Sequence, residues 1–371
     1  MTCQSKHLMK RIFSVLISLA VAVCSFAQTA AEPVTVWHDG AEFPIFGKAT
    51  DQTASPYDRL PESYQGQIRK RLWNLGRNTA GLYIRFRSDS PTIKLQWTSR
   101  FGVKMNHMTD TGVRGLDLYY LADDGQWRFA RNGRPSKEMF TEATVMSNME
   151  AKAREWMLYL PLYDGLKDLK IGVDSLSYIG PPQVNSPAAG NQIVFYGSSI
   201  MQGGCVSRPG VLATSIISRE LDQEVINLGF SGSAHLDEEI AQLMAQVESP
   251  SLFVLDYVPN STAEMIQQSG EKFFNIIRSA HPTVPVIFVE RPIYPHSALD
   301  GVVADDIKAR NAAQKVLYKA LRKAGHKKLY YLEGEKILGD DGEGTVDGVH
   351  SNDTGAQRYV DAILPLIKKA L

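Results

Sequence analysis

The sequence predicts an α/β chain in two parts: an antiparallel β-sandwich over residues 33–180, then a three-layer α/β/α unit on a parallel sheet over residues 191–371. Three observations carry this expectation. Short runs in the first part alternate apolar and polar residues, the period of half-buried strands. The stretch Gly180-Pro-Pro-Gln-Val-Asn-Ser-Pro-Ala-Ala-Gly190 then reads as a linker, residues 181–190. Beyond it the rhythm becomes strand, helix, strand, helix, which suits a parallel sheet covered by helices on both faces.

In chain order, Leu82, Ile84 and Phe86 mark a first clear strand, Ile93, Leu95 and Trp97 a second, and Leu116, Leu118 and Tyr120 a third. Asp123-Asp-Gly125 reads as a hairpin turn before Trp127. Trp156, Leu158 and Leu160 give another strand, and Leu169 to Val173 one more. Short strands at this spacing argue for a sandwich. Asp51 to Gln67 is polar and turn-rich and receives no element. In the second part, strands are expected at Ile193 to Tyr196, Val225 to Leu228, Leu252 to Leu255, Val286 to Val289 and Leu329 to Leu332. Between them, Leu236, Ile240, Leu243, Met244 and Val247 share one helical face. Further helices are expected up to Ile277, around Ile307 to Leu321, and from Asp353, an N-cap candidate, to Ile367.

Residues 1–27 read as a secretory signal peptide. Lys6, Lys10 and Arg11 precede an apolar segment, Ile12 to Val23, too short to span a bilayer, and Ser25-Phe-Ala27 offers a cleavage site. Cleavage after Ala27 is preferred to lipidation at Cys24, because Val23 is bulky where a small residue is wanted. Removal takes 40 basic residues to 37 against 40 acidic ones, a balance that argues against a nucleic-acid partner. Cys205 is then the one remaining cysteine, so no internal disulfide and no cysteine zinc site are expected. An exported protein, periplasmic or at the cell surface, with no membrane segment after signal removal, is the expectation.

In an open α/β sheet, ligands sit at the carboxyl ends of the strands. Those ends carry Ser198-Ser199, Asn227-Leu-Gly-Phe-Ser-Gly232, Tyr257-Val-Pro-Asn260 and Glu290-Arg291-Pro292, with Asp347-Gly-Val-His350 before the last helix. A serine hydroxyl becomes a nucleophile when an imidazole takes its proton and a carboxylate holds that imidazole in the right tautomer. Asp347 and His350 can do both beside Ser199. The N–H groups of Ser199 and Gly232 and the side-chain amide of Asn260 would supply fixed donors for an oxyanion.

These blocks resemble those of the SGNH (GDSL-type) hydrolases over residues 191–371. Position by position, Ser199 matches the nucleophile, Gly232 and Asn260 the two oxyanion positions, and Asp347 and His350 the acid and base. Gly115-Leu-Asp-Leu-Tyr119 resembles the Gly-x-Asp-Leu-Tyr signature of a β domain fused to a subgroup of these enzymes, over residues 33–180. The chain departs from the pattern at Ser198, where Asp is usual, at Pro259 and Ser261, and at Ser351. The Gly-x-Ser-x-Gly elbow of α/β-hydrolases is absent around Ser199. The resemblance implies a serine esterase that needs no metal or organic cofactor. Its substrate would be a small-molecule or glycan ester, foremost an O-acetylated carbohydrate. The alternatives are a lipid or lysophospholipid acyl hydrolase and a non-catalytic glycan-binding surface protein.

Blander readings stand beside these. Asn260 can cap the following helix, Asp347 can be a turn residue, and Ser198 is read as a structural hydrogen-bonding group. Arg291, Tyr294 and His296 are candidate substrate contacts on a Pro-rich loop, and His235 is read as surface or crevice wall. Trp97, Phe101, Tyr119 and Trp127 are read as sandwich core in preference to a sugar-stacking surface.

Overall fold

The computed structural model describes residues 34–371. The stretch read as a signal peptide, residues 1–27, lies outside the described residues.

The first part is a sandwich of two antiparallel sheets. One sheet runs in the order β1 (Thr35–Asp39), β9 (Leu166–Asp174), β4 (Ile93–Ser99), β7 (Phe140–Met146). The other runs β10 (Ile179–Gly180), β3 (Tyr83–Ser88), β8 (Arg154–Tyr159), β5 (Leu116–Leu121), β6 (Trp127–Gly133), with β2 (Ile45–Phe46) beside β3. Ile84, Phe86, Leu95, Trp97, Leu118, Trp156, Leu158 and Ile171 fill the space between the sheets. The Asp123–Gly125 turn joins β5 to β6, with Gly125 at φ +78° as a tight turn requires.

The expectation of half-buried strands holds for β4, which alternates buried and intermediate residues throughout. It does not hold for β3, β5 and β8, which are buried on both faces. Their second face carries Tyr83, Tyr119, Met157 and Tyr159, which pack together, and Arg219 of the second part lies over the Tyr119 and Tyr159 rings. Tyr159 Oη accepts from Arg219 at 3.1 Å and lies 3.4 Å from the Ser215 carbonyl. Tyrosine suits such a place, since its ring is apolar and its hydroxyl needs a partner.

The second part is a parallel five-stranded sheet in the order β12 (Gln223–Gly229), β11 (Ala188–Gly197), β13 (Pro250–Asp256), β14 (Val286–Val289), β15 (Leu329–Leu332). β11 begins at Ala188, inside the stretch expected as linker. Much of that stretch is strapped to the sandwich, with Arg85 donating to the Val184 and Pro187 carbonyls and Trp127 Nε1 to Ser186. The helices are α1 (Lys70–Gly76) and α2 (Asp110–Val113) in the first part. In the second they are α3 (Ser199–Gln202), α4 (Ala213–Leu221), α5 (Glu238–Ala245), α6 (Ala263–Ala280), α7 (Gly301–Lys323) and α8 (Asp353–Ala370). α5, α6 and much of α7 pack on one face of the sheet, and α4 and α8 on the other. α4 escaped the sequence reading. α8 is capped by Asn352, which accepts from Gly355 N, while Asp353 binds Ser207.

Strand order reverses at β11, whose neighbours β12 and β13 lie on opposite sides. Gly197 at its end pairs with Gly229 on one side and Asp256 on the other. Such a reversal opens a crevice at the carboxyl ends of the strands. The site lies there.

The unassigned stretch Asp51 to Gln67 proves to be a clamp. Arg59, 1 % exposed, donates to the carbonyls of Leu75, Asn78, Asn227 and Gly229 and lies over Phe230. Leu60, Leu72 and Trp73 enter the apolar core under α5 and α6. Residues read as part of the sandwich thus complete the core of the second part. No periodicity announced this, because a clamp that follows a neighbour's surface has none of its own.

Candidate active site

Ser199 is the first residue of α3, directly after β11, and is 7 % exposed. Residues at the start of a helix have N–H groups without intrahelical partners, so its N–H is available. Ser198 is the N-cap and accepts from Ile200 N at 3.3 Å, which uses it structurally. His350 Nε2 lies 2.8 Å from Ser199 Oγ. His350 Nδ1 lies 2.7 Å from Asp347 Oδ2, while Asp347 Oδ1 accepts from the N–H groups of Val349 and His350 at 3.0 and 2.8 Å. The turn between them needs Gly348 at φ +87°, in the left-handed region.

Partial burial works against the charge on Asp347, but the N–H groups of His350 and Val349 and the imidazole outweigh it. Its pKa falls to about 2. An ionised Asp347 requires the proton on His350 Nδ1, which leaves Nε2 as acceptor for the Ser199 hydroxyl.

Asn260 Oδ1 accepts from Ser233 N at 3.1 Å and Ala234 N at 3.4 Å. That fixes the amide and leaves its NH2 end for a ligand. Helix capping is not its role, since α6 is capped by Thr262, which accepts from Met265 N. Gly232 sits at φ +60°, and among the described residues nothing takes up its N–H. A side chain at Gly232 would strike Arg71, whose Nη2 lies 2.7 Å from the place its Cβ would occupy. Gln202, fully buried, ties these parts together. It accepts from Ser231 N at 2.8 Å and donates to Asn78 Oδ1 and the Leu162 carbonyl.

The candidate contacts fare differently. Tyr294 is 2 % exposed in the core beneath the sheet, so a substrate does not reach it. Arg291 is taken up by Asp306 and lies over the Tyr294 ring. Tyr294 was misread because a loop residue at a strand end looks accessible in sequence. His296 stacks on Tyr294 and faces Gly348, beside the Asp347–His350 turn. His235 lies in the loop before α5, with its pKa lowered by burial and by Arg69.

The sandwich reaches into the site through the loop from Arg100 to Thr109. Buried Asp164 holds this loop by accepting from Phe101 N at 2.8 Å and Val103 N at 2.9 Å. The loop brings His107 to within 5.8 Å of His350, ring to ring. Sequence reading missed His107, since an isolated His in an irregular loop carries no signal. Trp97 and Tyr119 are buried as expected, but Phe101 is 39 % exposed and lines a cavity of about 650 Å3 with Met105, Tyr163 and Ser231.

Ligand atoms of His107, Cys205, Asp347 and His350 all lie within 4.8 Å of one another, a spacing a cation could bridge. Both His350 nitrogens are already engaged by Ser199 and Asp347, and burial lifts the Cys205 thiol to about 12. A cation bound there would compete with the serine–imidazole–carboxylate arrangement.

Residues 190–368 match the GDSL-like lipase/acylhydrolase family, and residues 35–179 match the N-terminus of the SGNH-hydrolase-type esterases. A candidate GDSL-like lipase from Bacteroides ovatus ATCC 8483 is 34 % identical, with a TM-score of 0.86 over 91 % of this chain and 98 % of that one. The chain belongs to the GDSL-like lipase/acylhydrolase family. This GDSL-like hydrolase is therefore an ester hydrolase. It shares its fold with the salicylyl-acyltransferase SsfX3 from a tetracycline biosynthetic pathway, at 16 % identity and TM-score 0.72, covering 92 % and 98 % of the two chains. A family two carbohydrate esterase from Clostridium thermocellum, in complex with cellohexaose, also shares the fold at 11 % identity and TM-score 0.55, covering 78 % and 92 %. No curated protein matches the chain in sequence.

In this GDSL-like hydrolase the signature Gly115-Leu-Asp-Leu-Tyr119 does its work at the junction of the two parts. Asp117, fully buried, accepts from Arg208 and from Gly210 N, both at 2.8 Å, and from Asn132 at 2.7 Å. Tyr119 Oη accepts from Arg208 at 2.8 Å, and a side chain at Gly210 would strike the Tyr119 ring.

Proposed function

We propose that the protein is an exported serine esterase that removes acetyl groups from O-acetylated carbohydrate. The observation that carries the catalytic part is the 2.8 Å contact of Ser199 Oγ with His350 Nε2, continued at 2.7 Å to Asp347. His350 takes the Ser199 proton as Oγ attacks the ester carbonyl. The N–H groups of Ser199 and Gly232 and the Asn260 amide receive the oxyanion. As the tetrahedral species collapses, His350 gives its proton to the departing sugar oxygen and an acetyl-enzyme remains. Water, deprotonated by His350, attacks that ester, acetate leaves, and Ser199 regains its proton. Asp347 stays ionised throughout and holds the imidazole.

The carbohydrate assignment is supported by fold likeness to the cellohexaose-bound esterase and by the open, partly aromatic wall that Phe101 gives the cavity. Export is read from Lys6, Lys10, Arg11 and the apolar run to Val23.

Acetate release from acetylated xylan, set against fatty-acid release from a long-chain glycerol ester, tests the substrate. Acetate release supports the reading, and preference for the long chain points to a lipase. Intact-mass measurement of protein secreted by an expressing bacterium tests export: the chain should start after Ala27.

A further inference from the structure

The walls of the cavity of about 650 Å3 beside the Ser199 turn include Lys70, Arg71, Phe101, Val103 and Met105, and no aspartate or glutamate. The cavity adjoins the reacting groups at two points. Tyr163 Oη donates to the Ser199 carbonyl at 3.1 Å, and Ser231 precedes Gly232 and is tied to Gln202.

Neither of its two cations is in an ion pair among the described residues, and the one hydrogen bond of Arg71 goes to the Ser231 carbonyl at 3.2 Å. Their neighbours behave otherwise: Arg69 is bidentate to Asp237 at 2.8 and 2.7 Å, and Arg100 pairs with Asp58 at 3.1 Å. Lys70 and Arg71 also occupy the first turn of α1, which has no acidic residue there. Aligned peptide dipoles make that end unfavourable for positive charge. The same cavity is lined by the apolar side chains of Phe101, Val103 and Met105.

From this juxtaposition we propose that the cavity selects esters of an acidic sugar, Lys70 and Arg71 binding the carboxylate while Phe101 receives a ring face. The inference rests on the carbohydrate-esterase reading and adds the charge of the sugar to it. Arg offers a planar fork that matches a carboxylate, and Lys a mobile point charge.

The test compares an O-acetylated methyl glucuronoside bearing a free carboxylate with the same compound as its methyl ester. The readout is the ratio of the two kcat/KM values within each protein, so a poorly folded variant does not imitate the result. Wild type should favour the free acid by about tenfold, the scale of one charge-assisted hydrogen bond. Added salt should shrink the preference. The double variant Lys70→Gln, Arg71→Gln should lose it, and Lys70→Arg should keep it. Equal rates on both compounds, from a wild type that cleaves 4-nitrophenyl acetate, would overturn the acidic-sugar assignment and leave the esterase reading standing. A preference that survives in the double variant would overturn the role of the two cations. Failure of wild type to cleave 4-nitrophenyl acetate would remove the esterase reading beneath both.

Discussion

Tyr163, at the end of the sandwich, donates its hydroxyl to the backbone carbonyl of Ser199 at 3.1 Å. The residue that would attack the ester is therefore held from below by its own helix and from the side by the other half of the chain. Removing that hydroxyl should disturb the position of Oγ more than the binding of substrate. Tyr163→Phe is expected to lower kcat by about tenfold with KM little changed, the pattern of a misplaced nucleophile. Steady-state kinetics on 4-nitrophenyl acetate checks this.

In the proposed mechanism Asn260 and Gly232 receive the oxyanion. Asn260→Ala should lower kcat by about 10²–10³-fold, the usual cost of losing one such donor. KM should move far less. A rise in KM with kcat intact would assign Asn260 to ground-state binding instead.

Asp117 joins the two parts through Arg208 and Gly210. Burial pushes its pKa up, with Arg208 and the hydrogen bonds opposing. Asp117→Ala strands a guanidinium and a buried N–H, and breaking a buried pair costs about 3 kcal/mol or more. Chemical denaturation should show the loss, and separation of the transition into two steps would show that the halves had uncoupled.

Two carboxyl groups near the site move in opposite directions with pH. Burial raises Asp256 to about 7, with Tyr359 donating to it at 2.9 Å. A raised folded pKa gives stability that is fully present below the unfolded value of 3.8 and lost as pH rises through about 7. Asp256→Asn should therefore raise Tm at pH 8 relative to wild type and change it little at pH 4. Asp347 is lowered to about 2, so its contribution is present above 3.8 and lost as pH falls through about 2. Thermal melts of wild type and Asp256→Asn across pH 3–8 check the first sign.

How much of this was legible in the sequence depends on range. β14 and β15 fall on the residues expected, because a buried parallel strand is a continuous apolar run bounded by turns. Ser199, Asp347 and His350 could be singled out because each ends a strand or precedes a helix, where the sheet opens. Arg59, Tyr163 and His107 could not. Each acts on a partner far away in sequence, from a loop whose pattern reports only its own neighbours. Tyr294 misled for the reverse reason: a Pro-rich loop suggests exposure, yet its ring fills the core under β14.

The central claim is that Ser199, and not Ser198, forms the covalent intermediate. Inactivation with a fluorophosphonate, followed by peptide mass spectrometry, reads this directly. The account predicts a single adduct on Ser199, absent in Ser199→Ala, together with a fall in turnover of about 10⁴-fold or more in that variant. An adduct on Ser198, or a Ser199→Ala variant that still turns over ester at the wild-type rate, would contradict it.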